Sequence, residues 1–313
     1  MKRMIGFFAA PTLLLGGCAP AEQHLSQTLF SMDTVMELQI WTDRGDDVMN
    51  SCVQMLQNLE KTWSATDEDS LLSRRNAGAG DVTLDDEQME LLNRALELKN
   101  FTGGAFDPTI GAISQVWGFY DGQYRVPEDE EVLQAMFRSQ WDLGAVMKGY
   151  AGDACVKLLE ESGARCGLLN LGGNIQTYGT KPDGRPWNIG IQNPDGGESV
   201  AVLSINGTMA VVTSGDYQRY FEIDGVKYHH IIDPKSGYPA SSGLRSVTVI
   251  CRDGMTADAL STALFVMGLH KGSNFWRNNE GFEVVFITTG GEIYATQGVA
   301  ISGCEYEVIS REE

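Results

Sequence analysis

The alternation and spacing of apolar side chains divide the chain into strands and helices before any single residue is weighed. Residues 30–41 (FSMDTVMELQIW) alternate, with Phe30, Met32, Thr34, Met36, Leu38 and Ile40 on one face, and predict a strand. Residues 46–63 set Val48, Cys52, Met55, Leu56 and Leu59 at helical spacing. The polar, glycine-containing stretch 64–80 reads as a loop. Residues 85–100 predict a second amphipathic helix, opened by acids and ended near Gly103 and Gly104. Residues 127–138 predict a short helix with proline at its start. Residues 141–163 begin as a glycine turn and become a helix with Tyr150, Ala151, Ala154, Cys155, Leu158 and Leu159 as its apolar stripe.

The second half is richer in strands. Residues 168–179 (LLNLGGNIQTYG) read as a strand running into a glycine turn. Residues 186–197, 199–215 and 219–233 carry β-type patterns with NG and DG turns. Residues 246–253 predict a strand, 255–268 a helix, a short helix follows near Ser273, and 283–296 a hairpin across Gly290 and Gly291. No fixed-period repeat, linker or internal boundary interrupts the order. Strands and helices mix without a βαβ rhythm, so the prediction is a single α+β domain with a β-sheet core and packed helices.

Charge and the N-terminus narrow the picture. The 313 residues carry a formal net charge of -19. Non-specific nucleic-acid binding is excluded, since phosphate backbones need clustered Lys and Arg. An anionic ligand would need local help from a metal, backbone amides or a few placed cations. Lys2 and Arg3 precede a short apolar run over 4–15, then Leu15-Gly16-Gly17-Cys18. That pattern reads as an export signal over 1–17, a lipidated Cys18, a tether over 18–28 and one domain over 29–313. It predicts an extracytoplasmic protein anchored to a bacterial membrane. The other five cysteines are scattered, with no CxxC and no zinc spacing, and most read as small core residues.

The chemistry-bearing residues concentrate in 213–240 (TSGDYQRYFEIDGVKYHHIIDPKSGYPA) and in the helix at 255–268. Asp258 and Thr262 lie one helical turn apart, so a carboxylate and a hydroxyl share a face, a pairing that suits a hard cation such as magnesium. Each also has a plain structural role, as a helix-start acid and as a threonine bonded to its own helix. His229 and His230 are adjacent in β structure, so at most one can face a site. Ser214, His230 and Asp233 would serve a serine hydrolase, but no G-x-S-x-G elbow supports one. LGGN at 171–174 permits a tight turn or a close approach to a ligand. Lys148, six residues after Asp142, could meet a phosphate or a ring carbonyl. Neither a Rossmann fingerprint nor a Walker A motif is found.

Taken together, FSMDTVM, GGAFDPTIG, DLGAVMKGYAGD, LLNLGGN, TSGDYQRYF, YHHIIDPKSGYP and ADALSTALFVMG resemble the FAD:protein FMN transferase family, often called the ApbE family, from about Ser31 to Thr296. The resemblance implies that Met32, Ala105, Phe106, Asp107, Asp142, Lys148 and Ile232 contact FAD, with Trp63 a looser match. It implies that Asp258, Thr262 and the Ala145 carbonyl hold Mg2+, and that His230 and Asp258 are catalytic. The implied reaction moves FMN from FAD to a threonine or serine of an acceptor protein and releases AMP. The implied acceptor is a subunit of a membrane or extracytoplasmic electron-transfer system. His230 would be the base, with Asp233 or Asp216 as its orienting partner. The alternatives are a magnesium-dependent FAD pyrophosphatase at the same site, a non-catalytic FAD-binding lipoprotein and a serine esterase.

Overall fold

The computed structural model describes residues 23–80 and 82–312. In chain order, β1 (Gln23–Ser31) and β2 (Thr34–Thr42) are followed by α1 (Asp47–Trp63), α2 (Leu71–Asn76), α3 (Asp86–Phe101), α4 (Gly111–Val116), α5 (Asp129–Met136) and α6 (Met147–Ser162). Next come β3 (Cys166–Leu171), β4 (Asn174–Tyr178), β5 (Trp187–Ile191), β6 (Ala201–Ile205), β7 (Met209–Gly215), β8 (Tyr220–Ile223) and β9 (Val226–His229). The chain closes with β10 (Ile232–Asp233), β11 (Tyr238–Pro239), β12 (Leu244–Cys251), α7 (Gly254–Arg277), β13 (Phe282–Thr288), β14 (Ile293–Thr296), β15 (Ile301–Ser302) and β16 (Glu307–Ile309).

Nine strands form one sheet in the order β1-β2-β3-β4-β7-β12-β13-β14-β16. Every pair is antiparallel except β14 with β16. The middle strands are buried on both faces. Val247, Val249, Val284 and Phe286 pack under Leu260, Leu264 and Phe265 of α7. Ile250, Val285 and Ile287 point the other way, against Trp187, Ile189 and Leu203 of a small sheet ordered β15-β6-β5. Toward β1 the helix layer continues, with Cys52 and Leu56 of α1 and Cys155 and Leu159 of α6 on Met36, Leu38 and Ile40. This is the α+β single domain that the pattern predicts.

Three local expectations are corrected. The strand predicted over 30–41 is a hairpin, with Met32 and Asp33 as its turn at φ of 51° and 58°. Period-2 alternation runs through a two-residue turn unbroken, and Met-Asp lacks the usual glycine signal. As a result Phe30 is 69% exposed, while Met36, Leu38 and Ile40 are at 0%. Of the tether expected over 18–28, residues 23–28 instead belong to β1, where Leu25 and Leu29 pack on the α1–α6 core, and 18–22 lie outside the described residues. An edge strand rich in Gln, Ser and Thr looks like a tether in sequence. The predicted loop over 64–80 contains α2, capped by Ser70, whose Oγ accepts from Ser73 N at 3.0 Å. Six residues are too few to display a helical period. The signal over 1–17 and Cys18 lie outside the described residues.

The helix expected at 255–268 and the one near Ser273 are both present: α7 is two helices that meet at a kink at Gly268, where φ 76° and ψ 172° are not helical. The capping signal at the start of α3 is realised in full: Asp85 accepts from Gln88 N, and the Gln88 side chain accepts from Asp85 N.

Candidate active site

The starts of α6 and α7 meet at two glycines. A Cβ on Gly149 would lie 2.1 Å from the Gly254 carbonyl oxygen, so only glycine permits this approach. The contact is tied by carboxylates. Asp153 of α6 accepts from Gly254 N at 2.8 Å and Met255 N at 3.0 Å, capping α7 from outside its own sequence. Asp253 caps the same helix locally, accepting from Thr256 N at 2.7 Å. Burial and the neighbouring Asp253 charge raise the Asp153 pKa to about 6.

This junction positions Asp258. Its Oδ2 accepts the Gly149 N–H at 2.9 Å, and the residue is 4% exposed. Burial pushes its pKa up, while the Lys148 cation, the Gly149 amide and the Asn174 side chain hold it down. One turn on, Thr262 Oγ1 lies 3.2 Å from Ser214 Oγ, which also meets Ser261 Oγ at 2.7 Å. Ser261 Oγ donates to the Asp258 carbonyl at 2.9 Å. Ser214 of β7 is thereby tied to α7. A carboxylate and three hydroxyls gather where α7 crosses β7.

The two histidines divide as expected. His229 is buried, with Nε2 3.1 Å from the Ala240 carbonyl and its ring edge-on to Phe265. His230 is half-buried, and its Nδ1 lies 3.1 Å from the Arg219 carbonyl. A carbonyl can only accept, so Nδ1 carries the proton and Nε2 is left as the basic nitrogen. Burial, then the Arg219 charge, with Lys148 adding to it, lowers the His230 pKa to about 3. The imidazole is neutral near pH 7. The Lys148 charge acts on both His230 and Asp258, so one cation lowers the pKa of a helix-borne and a hairpin-borne group.

The expected partners of His230 are corrected. Asp216 pairs with Arg245 at 3.1 Å and Lys227 at 3.3 Å. Asp233 accepts from Lys235 N at 2.9 Å. A main-chain carbonyl orients the ring instead, because β9 ends opposite Arg219. The Ser-His-Asp relay fails on the same facts, since Ser214 is engaged by α7 and Asp233 by its own turn.

The remaining expected residues fall into two kinds. Ala105 and Phe106 are 8% and 1% exposed in a core that also contains Trp63, Leu143, Val146 and Met147, with Met32 and Ala145 at its margin. Ile232, 3% exposed, packs with Trp117 and Ile113. The side chains of Ala105, Phe106 and Ile232 are spent on packing, so any ligand contact there is a main-chain one. The acids keep polar company. Asp107 pairs with Lys99 at 2.7 Å and accepts from Thr109 N at 2.9 Å. Asp142 accepts from Ser114 Oγ at 3.0 Å and Gly144 N at 2.9 Å.

Four contributors escaped the reading of motifs. Glu60 of α1 accepts from Ser31 Oγ and Met32 N, both at 2.9 Å, and so anchors the SMDT turn. Asp153 and Asn174 stood inside motifs already singled out, and a polar side chain among apolar neighbours was the available signal. Tyr120 has a buried hydroxyl without a hydrogen-bond partner, its pKa pushed well up by burial and by Asp142.

The sequence model of the ApbE family matches residues 32–286. This chain belongs to the ApbE family. An FAD:protein FMN transferase of Treponema pallidum (strain Nichols) is 33% identical over 325 residues, spanning 91% of this chain and 90% of that protein. The protein of the same name from Escherichia coli (strain K12) is 32% identical over 328 residues, spanning 92% and 93%. Among solved structures, the ApbE protein of Thermotoga maritima superposes with a TM-score of 0.82 at 32% identity, over 88% of this chain and 97% of that one. The flavin transferase ApbE of Vibrio cholerae gives a TM-score of 0.77 at 28% identity, over 88% and 98%. The family match spans the SMDT turn, the α6–α7 junction and the His230 hairpin alike.

Proposed function

We propose that this chain is an FAD:protein FMN transferase that works with magnesium on a threonine or serine hydroxyl of an acceptor protein. The observation that carries the reading is His230, kept neutral with Nε2 unprotonated, under the same Lys148 charge as the buried carboxylate of Asp258. An acceptor hydroxyl is a poor nucleophile until a base takes its proton, and His230 Nε2 is that base. The hydroxyl oxygen bonds to the FMN-side phosphorus, the bond to the bridging oxygen breaks, and AMP departs with that oxygen. Lys148 and Arg219 bring positive charge to a chain whose net charge otherwise repels a pyrophosphate.

The site fits a hard divalent cation. Asp258 offers a carboxylate and Thr262 a hydroxyl one turn away, and the adjacent Asn174 amide oxygen is buried without a hydrogen-bond partner. Asp258, Thr262 and the Ala145 carbonyl are the residues that would hold magnesium. When bound, the ion would neutralise charge developing on the phosphate oxygens. The Leu15-Gly16-Gly17-Cys18 pattern supports an enzyme anchored through Cys18 on the outer side of a membrane, acting on a subunit of an electron-transfer system there.

The test is mass spectrometry after incubation with FAD and magnesium, with and without an acceptor domain bearing a threonine motif. A gain of one FMN on the acceptor, with AMP released, is expected, and His230→Ala and Asp258→Ala should abolish it. Free FMN and AMP with an unmodified acceptor would turn the reading to FAD pyrophosphatase chemistry. Bound FAD without AMP would end the catalytic reading.

A further inference from the structure

The α6–α7 junction has a polar neighbour with an amide oxygen that nothing in the fold satisfies. Asn174 opens β4 at 1% exposure beside the Asp258 carboxylate, whose charge its side chain favours, and its Oδ1 has no hydrogen-bond partner. A buried polar atom left unpaired destabilises the fold. A chain tolerates that where the group has work to do in another state.

The pleat determines where this amide faces. Alternate residues of a strand share a face, so Asn174 and Gln176 point the same way. Gln176 Nε2 donates to Asp153 Oδ1 at 3.3 Å, and its side chain fills the space beside Gly152 and Gly254. That face of β4 therefore looks onto the starts of α6 and α7. Across the sheet, Asn174 pairs with Val212 of β7. Ser214, the next residue on that face of β7, reaches Ser261 and Thr262. Asn174 thus lies between the capped junction and the hydroxyls of α7, next to Asp258. The turn before it is braced, with Asn170 Oδ1 accepting from Gly173 N at 3.0 Å.

We infer that Asn174 is a further positioning group of the cation site, turning Nδ2 to the Asp258 carboxylate and leaving Oδ1 as an oxygen donor for a divalent cation. The assignment rests on the metal-dependent reading above. Only the amide nitrogen can donate to a carboxylate, so the amide oxygen remains as the acceptor. A neutral oxygen adds a ligand without a second buried negative charge, which suits a pocket that must also admit a pyrophosphate.

The probe is Mn2+, titrated into the full chain and followed by the electron paramagnetic resonance signal of the free ion, with melting of the metal-free protein measured alongside. Asn174→Leu keeps the volume and removes both polar atoms. It should weaken Mn2+ binding about 10–100-fold and leave the metal-free melting temperature unchanged or higher. Asn174→Asp keeps an oxygen and should bind Mn2+ at least as tightly as the unaltered chain. Equal affinity in the Leu variant would overturn the inference while leaving the magnesium reading intact. Loss of affinity in the Asp variant would assign Asn174 to packing and overturn it too. Should the Leu variant not fold, the Asp variant alone decides, on the same two outcomes. No Mn2+ binding by the unaltered chain would overturn the metal reading and this inference together.

Discussion

The α6–α7 junction and the β8–β9 hairpin supply opposite halves of the site on different physical terms. The junction is buried, closed by a glycine contact and tied by carboxylates that accept main-chain amides. The hairpin is half-exposed, and its catalytic candidate is oriented by a single main-chain carbonyl. An aromatic row backs it, with Tyr124 stacked on Phe221 and Phe221 on Tyr228. The difference follows from charge. Burial raises the pKa of the Asp258 carboxylate, and a lysine and a main-chain amide oppose that rise. His230 is held neutral by burial and by the Arg219 and Lys148 cations. A buried anion needs built partners, whereas a neutral base needs only a direction.

Breaking the junction should have the largest effect. Gly149→Ala forces a methyl into the Gly254 carbonyl, and we expect a loss of about 3 kcal/mol in denaturant unfolding. A stability within error of the unaltered protein would mean that α6 and α7 can part freely. The hairpin is sharpened by pH. Since the His230 pKa is lowered from its ordinary 6.5, the base stays neutral as pH falls through that value. The acid limb of kcat/KM should therefore lie below pH 6. A limb centred near 6.5 would place the base in an unperturbed environment or on another residue.

Asp153 gives the junction its own pH signature. Its folded pKa of about 6 stands above the ordinary 3.8. The protonated form is favoured by folding, so its contribution is fully present below the unfolded value and is lost as pH rises through about 6. Melting temperature against pH should slope between 4 and 6 in the unaltered chain, and Asp153→Asn should flatten that slope. Identical slopes would remove Asp153 as their source. The smallest effect belongs to the outer end of the aromatic row. Tyr124→Ala should cost about 1 kcal/mol of stability and leave the pH profile of the His230 base where it was. A shifted profile would show that the stack, and not the Arg219 carbonyl, sets the ring.

Much of the site was legible because its signals are local. Asp258 and Thr262 share a face through helical period alone, and the adjacency of His229 and His230 in β structure already required that they separate. The helices whose ends carry caps, such as the Asp85 box, were placed closely. Misreadings arose where a local rule had two outcomes. Alternation over 30–41 was compatible with a strand or a hairpin, and only the antiparallel pairing of β1 with β2 chose. Asp216 looked like a partner for a histidine, until the fold gave it to Arg245 and Lys227.

What the sequence by itself determined was the class of fold, the family and a set of candidate site residues. Hydrophobic period, caps and motif spacing act over a few residues, and they survive without knowledge of any partner. Only the tertiary structure decided what holds those groups in place. Asp153 caps a helix 101 residues further on, Glu60 grips a turn 28 residues back, and the Arg219 carbonyl turns the ring of His230. Such contacts join elements distant in sequence, and their geometry follows from sheet order and helix packing, which no local pattern encodes.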